Sequence, residues 1–92
     1  MEKVLTPKER LTLIRKGNEL FNGGEIDKAA RIFTTTAYKD GLIRVGDYYL
    51  FDKKSPLKAL SYYIEARYQK RINELSERMA AVLKKWLSES TS

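Results

Sequence analysis

The sequence predicts an all-α fold with two antiparallel helical hairpins followed by a long C-terminal helix. Three observations indicate this fold class. Apolar residues recur at spacings of three, four and seven along most of the 92-residue chain. Glycine and proline signals divide this pattern into segments of helical length, and one segment partly recurs further along the chain. We expect residues 1–66 to form the hairpin domain and residues 67–92 to form an amphipathic helix with a short polar tail.

The first predicted helix begins at the tetrapeptide TPKE, positions 6–9. Thr6 can cap the helix, Pro7 suits the first helical position, where no N–H is required, and Glu9 can complete a capping box. The helix is predicted to end at the tripeptide NGG, positions 22–24, because glycine tolerates the left-handed conformation that closes a helix.

Two further helices are predicted at residues 25–38 and 42–51. In the first of these, apolar residues from Ile26 to Phe33 follow a helical spacing. The three threonines at 34–36 have weak helix propensity, so this helix should be short or frayed at its end. The dipeptide Asp40-Gly41 between the two helices is predicted to form a turn.

The C-terminal pattern is helical from Pro56 to about Leu87 with no internal glycine or proline, which predicts one helix of about 32 residues and about 48 Å. A break near residues 67–70 is the alternative, because the apolar stripe changes face there. We expect the upstream half to pack on the preceding helices and the downstream half to project. The expected association residues have coiled-coil spacing and are Ile72, Leu75, Met79, Val82 and Trp86.

Three interpretations of this C-terminal helix compete. It could cap the last hairpin, form a seam with the same or another protein, or lie as a basic helix on a membrane surface. Glutamates are mixed with its lysines and arginines, and this mixed charge favours the first two interpretations. A homo-oligomer is therefore one expected outcome.

The second hairpin partly repeats the first. Residues of similar size align in four pairs: Gly17 with Gly46, Ala29 with Ala59, Phe33 with Tyr63, and Thr36 with Ala66. The offset is 29 for the first pair and 30 for the other three, so the second unit contains one inserted residue. The order of residue types resembles the tetratricopeptide repeat, a helix–turn–helix unit of about 34 residues. The resemblance covers residues 10–66, with a shorter period and with Gly41 at the usual proline position.

In tetratricopeptide proteins, the first helix of each unit lines a concave groove that binds a partner's helix or peptide. The resemblance implies that Ile14, Phe21 and Ile43 form an apolar strip in such a groove. Tyr48 and Tyr62 adjoin core positions and must point elsewhere, which makes them candidate interface anchors. The expected partner-binding residues are Ile14, Asn18, Phe21, Ile43, Arg44, Asp47, Tyr48 and Tyr62.

The segment KGNELF, positions 16–21, is also similar to tetratricopeptide domains that clamp a partner's C-terminal carboxylate. This resemblance would give Asn18 and Arg44 roles in such a clamp. However, Ile14 stands at the position of the clamp's first lysine, and the third repeat that completes the clamp is missing from the pattern. Asn18 is therefore interpreted as a surface residue beside a helix end.

The composition argues against catalysis. The chain has no histidine and no cysteine, which removes the usual general base near neutral pH, thiol nucleophiles and soft metal sites. Its aspartates lack calcium-loop spacing, and its Gly-Gly pair lacks the rest of a phosphate-binding loop. We therefore expect a non-enzymatic adaptor that needs no cofactor or metal. No run approaches the 18 or so apolar residues of a membrane span, and we expect a cytoplasmic protein.

The charge leaves a second function open. The net charge is +6, with lysines and arginines scattered along the chain and interleaved with acidic residues. This distribution favours a solvated surface over a dedicated polyanion site. The alternative is a basic helical protein that binds nucleic acid or acts as a regulator. Its expected phosphate contacts are Arg15, Lys16, Arg44, Lys70 and Arg71.

Overall fold

The computed structural model describes residues 4–90, and in this range it contains helices and no strand. The predicted all-α fold class is confirmed. The molecule is elongated, measuring 60 × 29 × 23 Å. The five helices, in chain order, are α1 (Pro7–Asn22), α2 (Ile26–Thr35), α3 (Lys39–Asp47), α4 (Pro56–Glu65) and α5 (Gln69–Ser90), with one π-helical turn (Tyr48–Asp52) directly after α3.

The start and end of α1 follow the predicted signals. The Glu9 N–H donates to the Thr6 hydroxyl oxygen at 3.1 Å, and the Thr6 N–H donates to the Glu9 carboxylate at 3.0 Å. This reciprocal pair is the predicted capping box. After the helix, Gly24 adopts a φ of 85°, which glycine tolerates without steric cost.

The prediction of a turn at Asp40-Gly41 is wrong, because both residues lie inside α3. The chain reverses earlier, at Ala37, whose φ is 50°. Close packing against Phe33, and not a turn, requires glycine at position 41. A Cβ atom at this position would lie 2.5 Å from Cγ of Phe33, so the missing side chain lets the α3 backbone pack directly on the ring.

The predicted single helix from Pro56 to Leu87 is also wrong, and the alternative of a break is confirmed. Helix α4 ends at Glu65, and Arg67 adopts a φ of 56°. The Tyr68 N–H then donates to the Tyr63 carbonyl at 2.9 Å, as the Tyr38 N–H does to the Phe33 carbonyl 30 residues earlier. The chain thus makes the same turn at both unit boundaries, each time with a left-handed residue other than glycine.

The π-helical turn accommodates the inserted residue of the second unit. In the first unit, the Glu25 N–H donates to the Leu20 carbonyl, five residues back, at 2.9 Å. In the second unit, the Ser55 N–H donates to the Tyr49 carbonyl, six residues back, at 2.7 Å. A π-helical turn is the means by which a helix absorbs one extra residue, so the repeat offset increases from 29 to 30 at this point.

One core cluster joins the helices. Phe33 of α2 and Tyr63 of α4 are its largest fully buried side chains, and Leu75 of α5 belongs to the same cluster. The packing of α1 on α2 and of α3 on α4 is consistent with two hairpins. The first half of α5 therefore shares the core of the hairpin domain, although the break at Arg67 coincides with the predicted boundary.

Candidate partner-binding site

Arg44 is the centre of a polar and aromatic cluster on adjacent faces of α1 and α3. Its two terminal nitrogens donate to the side-chain oxygens of Asn18 and Asn22, each at 3.1 Å. Its guanidinium carbon lies 4.3 Å from the centroid of the Phe21 ring, within the range of a cation–π interaction. Three residues of α1 thus fix the position of an exposed arginine on α3.

Aromatic side chains surround this arginine. Tyr48 meets Phe21 edge to face, with ring centroids 6.4 Å apart. The π-helical turn adds Phe51, which is more than half exposed. Together these residues form a shallow depression of about 290 Å³. Its lining residues are Phe21, Arg44, Asp47, Tyr48, Phe51 and Asp52.

The Asp47 carboxylate is held mainly by two residues of α4 and α5, Tyr63 and Arg71. It accepts a hydrogen bond from the Tyr63 hydroxyl at 2.6 Å, and Arg71 lies 3.9 Å from the same carboxylate oxygen. Burial, together with this carboxylate, raises the pKa of Tyr63 above its usual value. Arg71 also donates to Glu74 at 2.7 Å. Asp47 lines the depression, but it also fixes the packing of α4 against α3.

The predicted apolar strip does not form. Ile14 is only 7% exposed, and Ile43 is half-buried against the core. Because Ile14 is buried, it cannot contact a partner in this conformation. The structure brings together the other predicted residues of α1, α3 and the π-helical turn, which are Asn18, Phe21, Arg44, Asp47 and Tyr48.

Tyr62 lies on a different surface from the Arg44 cluster. Its ring stacks on Tyr49 with centroids 5.7 Å apart and an interplanar angle of 5°. Tyr49 in turn donates to Asp27 at 2.9 Å. Burial is the main cause that raises the pKa of Tyr49 to about 12, with the Asp27 contact as the next cause. Tyr62 thus helps to cover the junction between α2 and the π-helical turn.

The predicted association residues divide into two groups. Leu75 is buried and Ile72 is packed against the core, whereas Val82 is about half exposed and Trp86 is 63% exposed. The exposed residues line an apolar groove of about 530 Å³ between the start of α4 and α5. Its lining residues are Pro56, Leu57, Leu75, Arg78, Met79, Val82, Leu83 and Trp86.

Sequence reasoning missed three contributors to these surfaces. Asn22 was assigned only to a helix stop, although its side chain also holds Arg44. Phe51 depends on the π-helical turn, which apolar spacing does not predict. Leu57 belongs to the groove because the chain breaks at Arg67 and brings α5 alongside α4.

Two further findings concern residues 4–90. None of their helices combines the length and the apolar character that a membrane crossing requires. Within the same residues, no cluster of three or more acidic, histidine or cysteine side chains is arranged to hold a metal ion.

The fold of residues 4–90 places the chain among small all-α proteins. No family model matches the chain, and no solved structure matches it significantly. The chain is 36% identical over 80 residues to an uncharacterized protein of Treponema pallidum (strain Nichols), and the match covers 87% of this chain and 76% of the relative. The chain belongs to the same family as that protein.

Proposed function

We propose that this chain is a non-catalytic, tetratricopeptide-like interaction module that binds a peptide or helix of another protein at the Arg44 cluster. The observation that carries the proposal is the fixed position of the Arg44 guanidinium, held by Asn18 and Asn22 and stacked on Phe21. An arginine whose position is fixed in advance loses less side-chain entropy when it binds a ligand. Exposed arginine and aromatic residues are also enriched at protein interfaces.

The chemistry of the cluster indicates what it would bind. Arg44 has five N–H donors, and its hydrogen bonds to Asn18 and Asn22 use two of them. Both acceptors are neutral amides, so neither of them neutralises the positive charge. The carboxylates of Asp47 and Asp52 line the same depression without an ion pair to Arg44 within 4 Å. A carboxylate or a peptide carbonyl could accept from the other donors, while Tyr48 and Phe51 contact an adjoining apolar side chain. The proposed ligand is thus a segment with an acidic and an apolar residue close together.

The nucleic-acid alternative receives less support from these contacts. Of its five predicted basic residues, Arg71 is partly buried and bonded to Glu74, and Lys16 lies 3.7 Å from Glu19. The remaining positions are on three different helices. Phosphate binding would weaken log-linearly as salt rises, so a salt series with duplex DNA and single-stranded RNA separates the two functions.

The test is a peptide-display selection against the folded chain, followed by affinity measurements on the selected peptides. We expect peptides with an acidic residue next to an apolar one, and we expect Arg44→Gln to weaken their binding about tenfold or more, since a charge-assisted contact contributes about 1.5–3 kcal/mol. Arg15→Gln is the matched control, because Arg15 occupies the corresponding exposed position of α1, 29 residues earlier. Equal loss in both variants, or no loss at Arg44, would refute the proposed site.

A further inference from the structure

The internal repeat allows the contacts between helices in one unit to be compared with those at the equivalent positions of the next. In the second unit, α4 covers the junction between α2 and the π-helical turn that continues α3. Tyr62 of α4 stacks on Tyr49, and Lys58 of α4 lies 4.3 Å from the centroid of the same ring. Asp27 of α2 lines this junction with them.

The same junction recurs 30 residues later without such a cover. Leu57 is the counterpart of Asp27, and Met79 is the counterpart of Tyr49. Both residues line the open α4–α5 groove. Within residues 4–90, no helix follows α5 to lie where α4 lies in the second unit. Because the repeat geometry places a helix over this junction, the groove has the shape that accepts a helix antiparallel to α5.

The exposed α4 wall is more apolar than its covered counterpart on α2. The residues of α2 that face α4 include Asp27 and Thr34, whereas their counterparts on α4 are Leu57, which is 72% exposed, and Ile64, which is more than half exposed. On α5, Leu83 and Trp86 are also more than half exposed. Contiguous apolar side chains of this kind on a surface are typical of protein-binding sites.

The charges along the groove distinguish between two possible ligands, a second copy of this chain and a helix of another protein. Arg78 lines the groove, and Lys85 lies one heptad further along the same flank of α5. Among the acidic residues of α5, Glu74 is paired with Arg71 at 2.7 Å, and Glu77 lies on the face opposite the apolar stripe. Glu89 lies in the last turn of α5, beyond the residues that line the groove. The rim along the exposed part of the groove is therefore mainly basic.

A second copy of this chain would fit the rim poorly. In an antiparallel α5 pair that matches Met79 with Val82 of the second copy, Arg78 of one copy would lie beside Lys85 of the other, twice by symmetry. Like charges facing each other across an interface are unfavourable. A helix with acidic flanks places opposite charges at both positions instead.

We infer that the α4–α5 groove binds an amphipathic α-helix of another protein, whose apolar stripe is flanked by aspartate or glutamate. This site is separate from the Arg44 cluster, so either one can fail without the other. The apolar groove supplies the helix-in-groove mode of recognition, and the basic rim selects the acidic helix.

The test uses two designed helical peptides of about 15 to 20 residues, a length at which isolated helices become stable in water. They share one apolar stripe and differ only in carrying glutamate or lysine on its flanks. Trp86 is the chain's only tryptophan, so its emission reports on the groove. We expect the glutamate peptide to shift Trp86 emission to shorter wavelength and to bind about tenfold tighter than the lysine peptide, because several exposed ion pairs along the rim each add a little to the affinity.

Matched variants locate the binding. Leu57→Ser should abolish the emission shift, and the double variant Arg78→Glu with Lys85→Glu should reverse the preference between the two peptides. Leu11→Ser, at a 49% exposed leucine of α1, is the control and should bind as the unsubstituted chain does. Circular dichroism verifies that each variant stays helical.

Three results would overturn the inference. The first is no shift with either peptide, and the second is equal affinity for both peptides. The third is a Trp86 shift that follows protein concentration without peptide, together with a dimer in sedimentation velocity, which would make a second copy the occupant. Arg44→Gln should leave peptide binding at this groove unchanged, which keeps the outcome distinct from that of the Arg44 cluster.

Discussion

The two buried rings of the core, Phe33 and Tyr63, occupy the same repeat position but are packed differently. Phe33 lies between two glycines of neighbouring helices, and a Cβ atom at Gly17 or Gly41 would come within 2.6 Å or 2.5 Å of the ring. Tyr63 meets a glycine, Gly46, on α3. On α5, the counterpart of Gly41 is Arg71, whose guanidinium carbon lies 5.8 Å from the ring centroid.

The difference shows two ways to join one helical pair to the next. At Phe33 the joint is apolar and depends on close backbone approach, which tolerates no added atom. At Tyr63 the joint is polar, because the tyrosine hydroxyl donates to Asp47 and Arg71 lies close to the same carboxylate. We therefore expect the first joint to be sensitive to steric change and the second to changes in pH and hydrogen bonding.

The largest expected effect is that of Gly41→Ala. The added Cβ would lie 2.5–2.7 Å from three carbons at the base of the Phe33 ring, where the ring is held by its own Cβ and cannot swing away. Overpacking of this kind costs about 1–3 kcal/mol. We expect the free energy of unfolding, measured by urea titration, to fall by an amount near the upper end of this range.

Gly46→Ala sharpens the comparison, and Gly23→Ala is its control. At Gly46 the added atom meets the outer edge of the Tyr63 ring, at 2.6 Å from Cε1. This edge can move further than the base of the Phe33 ring, so we expect a smaller loss of stability than for Gly41→Ala. At Gly23 the nearest atoms are 3.5 Å away, so the change should stay within about 0.5 kcal/mol. A Gly41→Ala variant as stable as the Gly23→Ala variant would contradict the account of the first joint.

Alkaline pH should weaken the polar joint. Burial raises the pKa of Tyr63, and it raises that of Tyr49 to about 12, whereas an unfolded chain ionises its tyrosines near pH 10. Above about pH 10 the unfolded state therefore binds fewer protons than the folded state, and the free energy of unfolding falls as pH rises. The slope should approach about 1.4 kcal/mol per pH unit for each such tyrosine.

The measurement is chemical unfolding from pH 8 to pH 11, with Tyr49→Phe and Tyr63→Phe as the informative variants. Each variant should flatten the decline above about pH 10, because it removes one phenol that ionises only on unfolding. A decline as steep in both variants as in the unsubstituted chain would show that other groups cause it.

The smallest expected effect is that of Tyr63→Phe at neutral pH. The change removes one hydrogen bond to Asp47, which is partly exposed and keeps Arg71 nearby. We expect a loss of about 0.5–1.5 kcal/mol, read from the urea midpoint at an unchanged slope. If Tyr63→Phe proved as stable as the unsubstituted chain at neutral pH, the Asp47 bond would add nothing to the second joint.

Local signals made part of the fold predictable. The capping box at Thr6 and the glycine stop after α1 are short-range chemistry, and the structure has both. The turn at Asp40-Gly41 was wrong because a glycine that permits close packing looks the same in sequence as a glycine that permits a turn. The break at Arg67 was only an alternative, because no glycine or proline indicates a left-handed arginine.

The site was predictable to a similar degree. The resemblance to tetratricopeptide proteins implied that Asn18, Phe21 and Arg44 lie on facing helices, and they do meet. Ile14 was misplaced because spacing alone does not tell which side of a two-sided apolar helix is covered. Leu57 was missed because its neighbours in the groove come from α5, and that contact exists only after the tertiary fold has formed.

The most direct test of a binding role for this repeat architecture is an NMR titration of the ¹⁵N-labelled chain with the glutamate-flanked helical peptide. We predict that amide shifts concentrate along the α4–α5 groove, at Leu57, Met79, Val82, Leu83 and Trp86, and leave Asn18 and Arg44 unchanged. Shifts that are absent at saturating peptide, or that are scattered over the basic residues of all helices, would contradict the account.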